Sequence, residues 1–179
     1  MITIIADEGN GRIGAELHQE FIAKGVPAEY ISLDGVTVKP CTGCGACTSK
    51  TYGRCATRDD ADWLLPKVVQ SDTLIFVSPI TFGSYSFRVK RVFDKFGLFM
   101  DAHYFIDDGE LVKGGKKGTR FRYFAVGFSD DCGGDEIRTF ETLFRENIKI
   151  TRGIGKSFIT GVELSQKEKN QITEEVLRV

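Results

Sequence analysis

The sequence predicts a doubly wound α/β fold, a parallel sheet covered by helices on both faces to give three layers. Three observations lead there. Short apolar runs rich in β-branched residues alternate with helical patterns along the chain, the signature of β-α-β units joined by right-handed crossovers. Residues 2–6 and 73–78 read as buried strands. At 179 residues, 41% hydrophobic and 27% charged, the chain has the length and composition of one soluble globular domain, 1–179, able to bury a full core.

The elements follow in order. Residues 2–6 (I-T-I-I-A) form the first strand, and the Gly-rich stretch D-E-G-N-G-R-I-G follows it. A helical pattern spans 13–24 with Leu17, Phe21 and Ile22 facing inward, and Gly25 ends it. Residues 28–33 read as a second strand, followed by a cysteine-rich loop at 39–58. Asp59 or Asp60 caps a helix reaching residue 70, with Pro66 as a blemish inside it. Residues 73–78 (T-L-I-F-V-S) are the clearest buried strand and run straight into P-I-T-F-G-S-Y-S. A helix over 87–100 places Phe93, Phe96 and Phe99 on its inner face, and most of the 14 Phe read as core. Residues 101–119 are polar and rich in Gly and Lys, a long loop; K-G-G-K-K-G at 113–118 reads as solvated. A fourth strand over 120–128, the loop S-D-D-C-G-G-D, a helix over 136–149, a fifth strand at 157–160 and a helix over 166–177 complete the chain.

Ligands of such sheets bind beyond the carboxyl ends of the strands, at the switch point between the central ones. The Gly-rich loop, the loop after Ser78, the loop after Phe128 and the cysteine loop each follow a strand's carboxyl end, which puts four suspect loops on one rim.

A net charge of −1 gives no reason to expect nucleic acid or an anionic membrane surface as partner. The longest apolar run is far short of a membrane span. The opening M-I-T-I-I-A-D has neither the basic region nor the long apolar region of a signal peptide, so cytoplasm is the expected compartment. That compartment keeps thiols reduced.

Four of the five cysteines, Cys41, Cys44, Cys47 and Cys55, fall within 15 residues at C-x2-C-x2-C-x7-C spacing. A cluster this close implies a shared role, a metal or redox site rather than a disulfide frame. Three readings stay open: thiolate ligands of a [4Fe–4S] cluster, structural zinc, or free thiols in a loop. Cys132 reads as an unrelated thiol on the rim, His18 as a surface residue and His103 as structural. No Ser-His-Asp or Cys-His arrangement and no Walker loop is present, so no residue is assigned as a catalytic acid, base or nucleophile.

The layout resembles the flavodoxin-like NAD(P)H-dependent FMN reductases, and among them the iron–sulfur flavoproteins. The resemblance rests on the strand and helix order with its Gly-rich first loop, on S-P-I-T-F-G-S-Y-S with K-R-V-F-D-K between Ser78 and Lys95, and on C-x-G-C-x-x-C…G-x-C…D-D between Cys41 and Asp60. It implies sheet order 2-1-3-4-5 and an FMN-dependent oxidoreductase with NAD(P)H as possible electron donor and a small-molecule or protein redox partner. It also implies a homodimer or homotetramer. The FMN phosphate would lie on Asn10, Gly11, Arg12, Ile13 and Gly14, the ring against Pro79, Ile80, Thr81, Phe82, Gly83 and Ser84, with Ser129 in the fourth-strand loop. Cys41, Cys44, Cys47 and Cys55 would hold the [4Fe–4S] cluster, although many cluster-free relatives carry a similar block. Backbone N–H groups at a helix N-terminus suit phosphate, and Phe82 offers a face for a flavin ring.

Two departures stand out. Thr81 replaces a usual aromatic, and Asp7 and Glu8 stand where the family has Ser or Thr hydroxyls. Carboxylates repel a phosphate, so they either point away or reduce flavin affinity. A second function class therefore stands beside the first: a non-enzymatic metal-binding or redox-sensing module that has lost FMN.

Overall fold

Five strands, all parallel, form one sheet in the order β2-β1-β3-β6-β7. They are β1 (Ile2–Ala6), β2 (Ala28–Ser32), β3 (Thr73–Pro79), β6 (Arg122–Phe128) and β7 (Ser157–Thr160). The computed structural model describes residues 1–9, 11–113 and 121–179. Counting only the strands of this sheet, the order is the flavodoxin-like 2-1-3-4-5 that the family resemblance implies. The helices are α1 (Ile13–Ala23), α2 (Ala46–Ser49), α3 (Ala61–Gln70), α4 (Phe87–Asp94), α5 (Gly134–Thr151) and α6 (Gln166–Arg178). No helix among the described residues is long and apolar enough to cross a membrane.

The centre of the sheet is buried on both sides because the strand period sends alternate residues to opposite faces. Ile5, Leu74, Phe76, Tyr123 and Ala125 join α3, α4 and α5 in one core through Leu64, Val68, Val89, Val92, Phe140 and Phe144. Ile4, Ile75, Val77, Phe124 and Val126 join α1 and α6 in the other through Leu17, Phe21, Ile172 and Val176. The first core is aromatic. Phe96 lies 4.8 Å from both Phe93 and Phe99, and 5.9 Å from Phe76, centroid to centroid. Such pairs contribute about 0.5–1.5 kcal/mol each beyond their area burial.

Four expectations change. Ile22 is 50% exposed, because it lies about 100° around the helix from Phe21. The helix expected over 87–100 is α-helical only to Asp94 and continues as a 3-10 turn, Lys95–Leu98. The three-residue steps of Phe93, Phe96 and Phe99 suit that tighter winding. Within the expected loop 101–119, Phe105–Asp107 (β4) and Glu110–Val112 (β5) pair as a small antiparallel hairpin. His18 is half-buried rather than on the surface, with its ring nitrogen 3.2 Å from the Ala28 carbonyl. Arg120 and 114–118 lie outside the described residues.

Candidate functional site

Order β2-β1-β3 puts the switch point between β1 and β3, because the chain leaves β1 for β2 on one side and returns to β3 on the other. The loops at the carboxyl ends of β1 and β3 therefore diverge and leave a crevice.

The β3 loop is tied to the rim by its own hydroxyls. Ser86 N–H donates to Ser78 Oγ (2.8 Å), and Ser86 Oγ caps α4 by accepting from Val89 N–H (3.3 Å). Ile80 N–H donates to the Phe128 carbonyl (3.0 Å), joining the loop to the end of β6. Thr81 and Ser84 exchange two backbone hydrogen bonds around Phe82 and Gly83, whose φ values are +51° and +72°. That is the pattern of a type I′ turn, which favours Asn-Gly. A bulky side chain in this left-handed region costs roughly 1–2 kcal/mol, yet Phe82 holds it with 91% of its surface exposed. The turn cannot retreat: a Cβ on Gly83 would come within 2.6 Å of Thr139 Cβ on α5. A strained, exposed aromatic at the switch point is the strongest functional signal of the rim.

The β1 loop is filled with charge. Asp7 Oδ1 accepts from Arg88 Nη1 (3.0 Å), and the same nitrogen reaches Asp34 Oδ1 (2.7 Å). Asp7 thus points away from the start of α1, into an ion pair with α4. Glu8 does the opposite. It is 7% exposed, and its carboxylate accepts from Gly14 N–H (2.7 Å) at the amino end of α1 and from the Tyr30 hydroxyl (2.6 Å) on β2. Burial, together with the bond to Glu8, pushes the Tyr30 hydroxyl up to about 12. Gly14 is required there: a Cβ would stand 2.9 Å from Ala6 Cβ and 3.0 Å from Tyr30 Cε2. Gly11, Arg12 and Ile13 line a cleft of about 590 Å³ beside Glu8, together with Phe128 and Leu164. Asn10 lies outside the described residues. Ser129 accepts from Asp131 N–H through its hydroxyl (3.2 Å) and donates its own N–H to the Thr160 carbonyl (3.1 Å).

As a flavin site, then, the ring end fits and the phosphate end does not. Pro79, Ile80 and Phe82 present apolar surface, but the helix N-terminus already holds a carboxylate.

The cysteine segment begins at the rim but does not stay there. Gly53 and Cys55 share a cleft of about 460 Å³ with Val69, Gln70, Leu98 and Phe99, at the ends of α3 and the 3-10 turn that lead away from the crevice. Its far end is pinned by a buried ion pair, Asp59 with Lys95, whose side chains are 2% and 1% exposed. Asp59 also accepts from the N–H groups of Lys39 (2.8 Å) and Ala61 (3.0 Å). Burial acts to raise the Asp59 carboxyl, but Lys95 and those two N–H groups outweigh it and hold the group below its usual range. Asp60 accepts from Thr37 N–H (2.7 Å). Both aspartates thus close the loop as well as begin α3.

Cys41 and Cys44 are exposed, and Cys47 and Cys55 half-buried, all as free thiols. The N–H of Ala46, helped by the Thr42 hydroxyl, draws the Cys44 thiol down. Among the described residues no three His, Cys, Asp or Glu side chains are gathered as a metal-holding group. The donor set suits a cluster, while the placement does not assemble it. Cys132 is apart, its thiol directed at Glu136 Oε2 (3.7 Å) and raised by burial and that carboxylate.

The sequence model of the NADPH-dependent FMN reductases matches residues 5–118, from the end of β1 past the β3 loop and the cysteine segment. The chain belongs to this family. It is similar to an iron–sulfur flavoprotein of Methanocaldococcus jannaschii, 38% identical over 72 residues that make up 40% of this chain and 36% of that protein. An iron–sulfur flavoprotein of Archaeoglobus fulgidus is 32% identical over 77 residues, 43% of this chain and 34% of the other. The matched region thus spans about a third of these curated relatives. The structure of a putative quinone reductase from Klebsiella pneumoniae superposes with a TM-score of 0.62 at 12% identity, over 99% of this chain and 82% of the other, which shows the shared flavodoxin-like fold.

Tyr30, Arg88 and Lys95 were not evident as partners in the sequence. Each is bound to a residue more than 20 positions away, and no local spacing marks such a pair.

Proposed function

We propose that this protein is a flavin-dependent oxidoreductase of the FMN reductase family that binds its flavin across the carboxyl edge of the sheet and accepts electrons from NAD(P)H for a small-molecule or protein redox partner. One observation carries the reading: Phe82, strained and 91% exposed, stands at the switch point of a chain in the FMN reductase family. The bound flavin ring supplies the electron chemistry, and the protein positions it and tunes its potential. Pro79, Ile80 and Phe82 would hold the ring, and the Ser78–Ser86 hydroxyl link keeps their loop in place.

The thiols of Cys41, Cys44, Cys47 and Cys55 are the donor set for a [4Fe–4S] cluster, which requires the loop to regroup them. Cys44→Ala is expected to abolish iron binding while the fold persists, and unchanged iron content would refute the assignment. The compartment is cytoplasmic and the assembly a homodimer or homotetramer, for which Ile106 and Leu111, 68% and 59% exposed on the hairpin, offer apolar surface.

The deciding experiment is the absorption spectrum of anaerobically purified protein before and after NADPH and after acid. Flavin bands that bleach with NADPH support the reading, and an acid-labile brown shoulder adds the cluster. A second reading is favoured by Glu8: a non-enzymatic metal-binding or redox-sensing module. Protein that stays colourless after incubation with FMN and with riboflavin would select it.

A further inference from the structure

We propose that Glu8 is a built-in stand-in for a flavin's terminal phosphate, and that it makes the site select flavins ending in a hydroxyl over flavins ending in phosphate. The inference rests on the flavin reading above.

A helix N-terminus at the switch point is where a nucleotide phosphate is expected in a sheet of this order, because its unpaired N–H groups and dipole favour an anion. In this chain an anion is already there. The Glu8 carboxylate accepts from Gly14 N–H at 2.7 Å and from the Tyr30 hydroxyl at 2.6 Å, and the residue is 7% exposed. The main-chain carbonyl of Glu8 also accepts from Gly11 N–H (2.7 Å).

A phosphate would have to expel this carboxylate. The expelled group would remain beside the incoming charge, with Asp7 adjacent in sequence and Glu16 lining the same cleft. Asp7 is neutralised by Arg88, and Glu16 lies 2.9 Å from Lys169, so neither cation is free to serve a phosphate alone. Arg12 is the cation the cleft itself offers. A ribityl hydroxyl meets no such obstacle. A carboxylate has about four lone-pair positions, and the two bonds to Gly14 and Tyr30 leave room to accept another O–H. The same group that repels a phosphate can therefore bind an alcohol.

The test is a fluorescence titration of the full chain with riboflavin and with FMN, for the wild type, Glu8→Gln and Glu8→Ser. The wild type is expected to bind riboflavin about tenfold more tightly than FMN, and each variant to shift that ratio towards FMN by about tenfold or more. Glu8→Gln keeps the side chain's shape and an acceptor for Gly14, so it serves if Glu8→Ser does not fold. An unchanged ratio in both variants overturns the proposal while leaving flavin binding intact. Failure of every form to bind either flavin overturns the flavin reading and this inference together.

Discussion

Asp59 and Glu8 both have buried carboxylates, and they are buried differently. Asp59 is paired with a buried ammonium, Lys95, and accepts two backbone N–H groups besides. Among the described residues Glu8 has no cation partner in its hydrogen-bond shell, only an amide and a phenol. A buried charge with a full set of partners is structural, since losing either ion strands the other. A charge held by neutral donors alone is easier to exchange for another anion or acceptor. The contrast separates a staple, which fastens the cysteine segment to the helices, from a site residue, which sets what the crevice can take.

The largest expected effect is on the staple. Asp59→Ala or Lys95→Met leaves one uncompensated buried charge and should destabilise by about 3–5 kcal/mol, read by denaturant unfolding. A loss below about 1 kcal/mol would mean that water reaches the pair. Glu8→Ala should cost less, about 1–3 kcal/mol, because it strands the Gly14 amide and the Tyr30 hydroxyl without breaking an ion pair. If the two losses are equal, the contrast is gone.

The two sites should also part on a pH scale. Asp59 has a folded pKa below its ordinary value, so its contribution is present above about pH 4 and is lost as pH falls through the depressed folded value. Lys95→Met should remove that acid limb of the stability profile. Tyr30 has a folded pKa raised from 10.0 to about 12, so its contribution is present below pH 10 and is lost as pH rises through about 12. Tyr85 and Tyr123, which burial also raises, add to the same alkaline loss. The Tyr30 share is the difference between wild type and Tyr30→Phe, measured by thermal unfolding between pH 9 and about 12.

The smallest expected effect has the opposite sign. Phe82→Asn places a residue suited to positive φ in the Thr81–Ser84 turn and should stabilise by about 0.5–1 kcal/mol. It should weaken flavin binding at the same time. Stabilisation with unchanged flavin affinity would show that the exposed ring is not part of the site.

Much of this architecture is legible without coordinates. The runs I-T-I-I-A and T-L-I-F-V-S are buried strands at the expected places, and S-P-I-T-F-G-S-Y-S forms a rim loop as predicted. Burial of this kind is written locally, in consecutive residues. The hairpin at 105–112 was not legible, since its strands are only 3 residues each and its apolar side chains Ile106 and Leu111 face outward. Nor was the cleft that Cys55 shares with the end of α3 and with Leu98 and Phe99, residues more than ten positions away.

The sequence by itself determined the parallel sheet and the loops that frame the crevice, because apolar runs and turn residues act over short stretches of chain, while the strand order followed from the family that its motifs resemble. It also posed the question of Asp7 and Glu8: point away, or interfere. Only the tertiary structure answered it, and it answered differently for each. Asp7 turns to Arg88, which α4 brings from 81 positions away, while Glu8 turns to Gly14 and to Tyr30, which the pairing of β1 with β2 places beside it. Where a carboxylate points is decided by the donors that folding brings within reach, and those donors come from other elements of the chain.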